Sequence, residues 1–180
     1  MVEAQSMPGV YHRGYYVIVD KDSLAAKLPA CPFAPPSYAR PSTEQFTRTV
    51  NSFWYSAVFI AKQIRRRQLW PVKYSDWIMK RDLLEMMEWH ARAMHGWDDH
   101  DTWHNGKFLA EWTDVETWQA LHEAWGCFAA ADSWRALFAT MNLFRRLATE
   151  AAARLDNAYP ALLDERVTQF VQKLHEEDWL

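Results

Sequence analysis

Beyond residue 41 the apolar residues recur every three to four positions, and this period predicts helices throughout. Ser42 or Thr43 can cap the first, with Glu44 and Gln45 in its opening turn, and its apolar run carries to about Leu69. Pro71 suits the first turn of a second helix, which bears Trp77, Met79, Leu83, Leu84 and Met87 and reaches a C-cap glycine at Gly96. A polar loop, Trp97 to Asn105, follows. A capping box at Thr113-Asp114-Val115-Glu116 opens a third main helix, with Trp118, Leu121, Trp125 and Phe128 on one face. Asp132 or Ser133 caps a fourth that runs to about Leu155 behind a stripe of Leu137, Met141, Phe144 and Leu147. After Tyr159-Pro160 a last helix spans roughly residues 164–177.

The head of the chain follows another pattern. Tyr15-Tyr16-Val17-Ile18-Val19 is β-branched and aromatic and stops at Asp20-Lys21-Asp22, which predicts one short strand and then a turn. A lone strand has no partner, so it must pair with another chain, pack as an extended arm, or belong to a larger sheet. Residues 29–41 hold five prolines in thirteen positions, a stiff extended linker. The expected fold is mainly α: a bundle of about five helices over residues 42–180, preceded at 1–41 by an arm with a short strand or extended segment and the proline-rich linker.

Composition narrows the function. The 180 residues, 49% hydrophobic and 24% charged, suit one globular domain with a core. A net charge of −3 argues against a nucleic-acid binder, which is usually basic. No run is apolar for the ~18 residues a membrane span needs, and the N-terminus has no signal-peptide pattern. Cys31 and Cys127 lie far apart with no metal-ligand spacing, as expected of a reduced cytoplasmic protein. Eleven tryptophans are the one outlier; core packing is the favoured role for any one of them, and stacking on cations or flat ligands is the other.

The first helix is apolar most of the way round, so it should be buried among others. One stripe of it reads Asn51, Tyr55, Phe59, Lys62 and Arg66, and three arginines, Arg65 to Arg67, close it. The helix dipole accounts for the arginines. It does not account for Lys62, higher up among aromatics. Either Lys62 snorkels out along its stem, or Lys62 and Arg66 face a polyanion such as a nucleotide triphosphate.

Several short stretches, weak singly, have an order and spacing that resemble a known family. They are VIVDKD (17–22), Asn51-x-Phe53-Trp54, Ala61-Lys62-x-x-x-Arg66, RDLLEMMEW (81–89), GKFL (106–109), LFRRLATEAAARL (143–155) and AYP (158–160). From Val17 to about Leu174 the chain resembles the C-terminal portion of the aminoglycoside 6-adenylyltransferases, the streptomycin adenylyltransferases. The resemblance implies a helical domain that closes a cleft over ATP and drug. Enzymes of the family join it to an N-terminal nucleotidyltransferase domain, whose Gly-Ser motif and paired aspartates hold nucleotide and Mg²⁺, and VIVDKD resembles the last strand of that domain's sheet. On the same basis Lys62, Arg66 and Lys107 are nucleotide-binding.

Substrate-binding candidates are Asn51, Trp54 and Tyr55 on the first helix, Glu85, Glu88 and Trp89 on the second, and Asp98 and Asp99 in the loop. Acids and aromatics of this kind can meet a polycationic drug. The chain departs from the family at Ser52, where members commonly carry an acid, and it shows no Gly-Ser element followed by Asp-x-Asp. Without the metal carboxylates no catalytic residue, metal ligand or cofactor is assigned to it, and the chain alone is expected to be inactive, with Mg-ATP bound only if a nucleotidyltransferase domain completes the site. The loop 97–105, with His100 and His104 near His95, lacks zinc spacing and reads as solvated. Expected partners are an aminoglycoside or nucleotide, and a nucleotidyltransferase chain or a second copy paired through the strand at 15–20. The rival reading is a non-catalytic helical interaction protein that dimerises through an aromatic surface.

Overall fold

The structure is a computed structural model that describes residues 11, 13–28, 31, 35 and 37–177. The chain divides into two compact units, with the break after Ala39. Six of the thirteen positions of the proline-rich run at 29–41 lie outside the described residues.

The expected strand does not form. Residues 15–19 adopt no ladder, and Tyr16 and Ile18 are 91% and 93% exposed. Their β propensity is local, and no second strand among the described residues offers a partner. An arm is what remains. The turn expected at Asp20 is present: its carboxylate accepts from the backbone N–H of Leu24 (2.7 Å) and Ala25 (3.1 Å), opening a 3-10 helix at Ala25–Lys27.

The second unit is helical, with six α-helices among the described residues. Helix α1 (Thr43–Arg65) starts on a reciprocal capping box: the Gln45 N–H donates to Ser42 Oγ (3.2 Å) and the Ser42 N–H to Gln45 Oε1 (2.8 Å). Ser42→Ala should cost about 1 kcal/mol in urea unfolding. The helix ends four residues before Leu69. The Gln68 N–H returns to the Gln63 carbonyl and the Arg67 N–H to Ile64, with Arg67 left-handed at φ 58°. That is a Schellman closure with arginine where glycine is usual.

Helix α2 (Leu69–His95) carries Pro71 in its first turn and stops at Gly96, φ 112°. A short α3 (Leu109–Trp112) precedes α4 (Val115–Ala124). The cap of α4 is Asp114, one residue later than the expected box, accepting from the Thr117 N–H at 2.6 Å. Because α4 stops at Ala124, Trp125 and Phe128 do not share its face and stand 50% and 60% exposed. Helix α5 (Ala130–Arg154) starts ahead of the expected Asp132 or Ser133 cap, and α6 (Ala161–Glu176) starts one turn early, straight after Pro160.

Helix α1 is the hub, packing on α2, α5 and α6, while α5 also meets α2 and α4. Phe53 stacks on Phe144 of α5 at 3.6 Å between centroids, with Trp54 edge-on to both. Two polar ties cross this core. His90 on α2 shares a 2.6 Å hydrogen bond with Glu150 on α5, and Arg146 on α5 donates to Thr117 on α4 at 2.7 Å. Beyond those two, a clasp ties α5 to α6. Asp164 accepts from Arg145 Nε and Nη2 at 2.6 Å each and from the Tyr159 hydroxyl at 2.7 Å. Tyr159 of the AYP stretch is thus tied to the first turn of α6 through Asp164. Among the described residues no helix is long and apolar enough to cross a membrane.

Candidate functional site

The exposed stripe of α1 changes character along its length. Near the N-terminus a shallow groove is lined by Thr43, Glu44, Thr47, Arg48, Asn51, Ser52 and Tyr55. Tyr55 (73% exposed) and Phe59 come next, and then the cations Lys62 and Arg66, both exposed. The Lys62 ammonium lies 5.5 Å from the ring centroid of Phe170 on α6. At 1.5 Å per residue, Asn51 and Lys62 stand roughly 16 Å apart along the axis.

Beside the groove α2 presents three carboxylates at intervals of three residues, Asp82, Glu85 and Glu88. Two are gripped from α1: the Ser52 hydroxyl donates to Asp82 at 2.7 Å and the Thr49 hydroxyl to Glu85 at 2.8 Å. Burial pushes the Asp82 carboxyl up, against the Ser52 hydrogen bond that lowers it, and the nearby Glu85 adds to the rise. Burial likewise carries Glu88 to about 7, although Arg92 at 3.6 Å pulls the other way. Three acids crowded on one helix face form a site that a cation would relieve.

Trp54 and Trp89 are placed elsewhere. Trp54 is wholly buried, and Trp89, 7% exposed, stacks on Phe46 at 6.1 Å. Glu85 and Trp89 are thus neighbours in sequence spacing, with the acid at the surface and the ring in the core. Lys107 is exposed in the turn before α3, and its carbonyl accepts from Trp112 Nε1 at 2.8 Å. Asp98 and Asp99 are exposed just past α2. The rest of that loop is more anchored than a solvated loop: Trp97 and Thr102 are buried, Arg92 donates to the Thr102 hydroxyl, and His100 Nε2 donates to the Trp112 carbonyl. Among the described residues no group of three or more His, Cys, Asp or Glu is placed to hold a metal ion.

A family model described as streptomycin adenylyltransferase matches residues 2–174. The chain belongs to that family. An aminoglycoside 6-adenylyltransferase of Campylobacter jejuni is 26% identical over 156 residues, 86% of this chain and 54% of the relative. One from Bacillus subtilis (strain 168) is 25% identical over 137 residues, 76% of this chain and 48% of the relative. The crystal structure of an aminoglycoside 6-adenyltransferase from Bacillus subtilis shares the fold, with a TM-score of 0.68 at 23% identity, covering 77% of this chain and 52% of that one. The chain spans about half the length of the curated relatives it matches.

The Ser52 hydroxyl holds the Asp82 carboxylate against the polar stripe of α1. Sequence reading missed Asp82 because its partner lies on another helix. It also missed Lys80, 5% exposed, whose ammonium donates to Asp76 (2.7 Å) and Thr140 (2.9 Å). The Asp76–Lys80 spacing of four was the available signal.

Proposed function

We propose that this chain is the ligand-facing helical wall of an aminoglycoside 6-adenylyltransferase. The α1 stripe carries the reading: acids and polar groups beside Asn51 and Tyr55 suit a cationic drug of the streptomycin type, and Lys62 with Arg66 suits the ATP phosphates at the other end. Asp82, Glu85 and Glu88 attract the drug's guanidinium and ammonium groups, and Asn51 and Tyr55 line its path. Lys62 and Arg66 orient the polyphosphate and offset its charge.

In the family's reaction Mg²⁺ neutralises the phosphates during adenylyl transfer. The described residues do not fit that ion, for want of grouped donors, so no step of the transfer is assigned to them. Metal and base belong to a nucleotidyltransferase half, joined or separate.

Ligand-dependent melting tests the proposal. Streptomycin and ATP, each at millimolar concentration, should raise Tm separately and together. Lys62→Glu should remove the ATP shift and spare the streptomycin shift, and Glu85→Gln should do the reverse. Streptomycin affinity should also climb as pH rises through about 7, where Glu88 ionises. If neither ligand moves Tm, the reading fails.

A further inference from the structure

A second groove, of about 680 Å³, runs between α2 and α4 and shares no residue with the α1 stripe. Its volume is that of a small-molecule site. Three tryptophans wall it, Trp77, Trp118 and Trp125, and they remain 60%, 39% and 50% exposed. Such large apolar rings at the surface are costly unless something covers them. Trp77 and Trp125 sit 6.2 Å apart between centroids and are tilted by 49°, an aromatic pair that presents ring faces and edges to the groove.

The charge of the lining is one-sided. Lys80, Arg81 and His122 border the groove, and among the described residues no carboxylate does. Lys80 lies beneath Trp125, its ammonium 5.3 Å from the ring centroid, and Asp76 offsets its charge from behind. Arg81 stands exposed at the rim. Gly106, φ 71°, admits the close approach of Leu84 and Leu109 that shapes one edge; a Cβ there would lie 3.1 Å from Leu109 Cδ1.

We propose that this groove binds a small planar aromatic anion, with the ring between the tryptophans and the carboxylate or sulfonate at Arg81. A polycationic aminoglycoside offers neither the flat apolar body nor the charge, so the site is separate from the one on α1.

Two probes with the same ring and opposite charges test it: 2-naphthoate and naphthalen-2-ylmethylammonium, titrated into the full chain by calorimetry and ligand-observed NMR. Naphthoate should bind saturably and the ammonium roughly tenfold more weakly, with Arg81→Glu reversing the preference. Trp118→Ala should also weaken naphthoate binding; if that variant melts early, Trp77→Ala, at a more exposed ring, serves in its place. Equal affinity for the two probes, or indifference to Arg81→Glu, overturns the proposal. So does displacement of naphthoate by streptomycin. Sedimentation showing a dimer that excludes naphthoate would make a second copy the occupant and overturn it too. A failure of both streptomycin and ATP to bind sinks the proposed function and leaves this groove untouched.

Discussion

Asp164→Ala should lower the unfolding free energy by about 3–5 kcal/mol, read as a lower urea midpoint at an unchanged slope. Asp164 is 5% exposed and receives both arms of Arg145, the Tyr159 hydroxyl and, at 3.0 Å, the Thr168 hydroxyl. Deleting the carboxylate leaves the Tyr159 phenol without its acceptor and the Arg145 guanidinium with only Asn142 and Thr168, at 2.8 Å each. The Arg145 side chain is 33% exposed, so water recovers part of the loss and favours the lower end of the range. Burial pushes the Asp164 carboxyl up, but the bonds from Arg145 and Tyr159 and the Arg145 charge outweigh it and hold it below its usual range. The clasp's contribution is therefore complete above the unfolded carboxyl value and is lost as acid takes pH down through the folded one. Tyr159→Phe removes one of the bonds and should cost about 1 kcal/mol. A loss under 1 kcal/mol for Asp164→Ala would show that the clasp does not hold α6.

Glu88→Gln should work in the opposite direction, stabilising the chain by roughly 2 kcal/mol at pH 8. Burial raises this carboxyl from 4.5 to about 7, so the folded state binds a proton more tightly than the unfolded chain. Its stabilising effect is fully present below pH 4.5 and is lost as pH rises through about 7. The gain from glutamine should accordingly appear between those values and vanish below them. A parallel pair of stability curves from pH 4 to 8 would refute the assignment. If the amide stabilises the fold while weakening streptomycin binding, the acid is kept for its ligand at the expense of stability, as functional carboxylates often are.

What the sequence disclosed depended on how local the determinant was. The start of α1 was legible because Ser42 and Gln45 stand three apart in one turn, and the end of α2 because Gly96 supplies a left-handed residue. The start of α4 slipped by one because Thr113 and Asp114 are both competent caps. Its end was misplaced because Gly126 was overlooked as a stop. A Cβ there would meet the Asp132 carbonyl at 2.9 Å and Ala136 Cβ at 3.0 Å, so the α4–α5 connection requires glycine and leaves Trp125 and Phe128 off the helix. The strand at 15–19 failed for want of a distant partner.

The site divides in the same way. The row from Asn51 to Arg66 follows from period alone, since all its members share one helix. The grips of Ser52 on Asp82 and Thr49 on Glu85 depend on the register between α1 and α2, which no short motif encodes. Burial of Trp54 and Trp89 likewise follows from which side of α1 and α2 the other helices cover.

Helix α6 packs on α1 and is joined to α5 by the clasp through Arg145. With the edge contacts of His175 against Trp134 and Phe138 of α5 added, α6 still has fewer packed neighbours than the hub and should open ahead of the rest. Backbone amides from Val167 to Val171 should then exchange with solvent deuterium through a local event, while those of Phe53 and Leu147 wait for global unfolding. Phe170, which carries the Lys62 ammonium, leaves with α6. An anion that binds Lys62 only in the closed form would slow that exchange by the same factor by which opening weakens its hold.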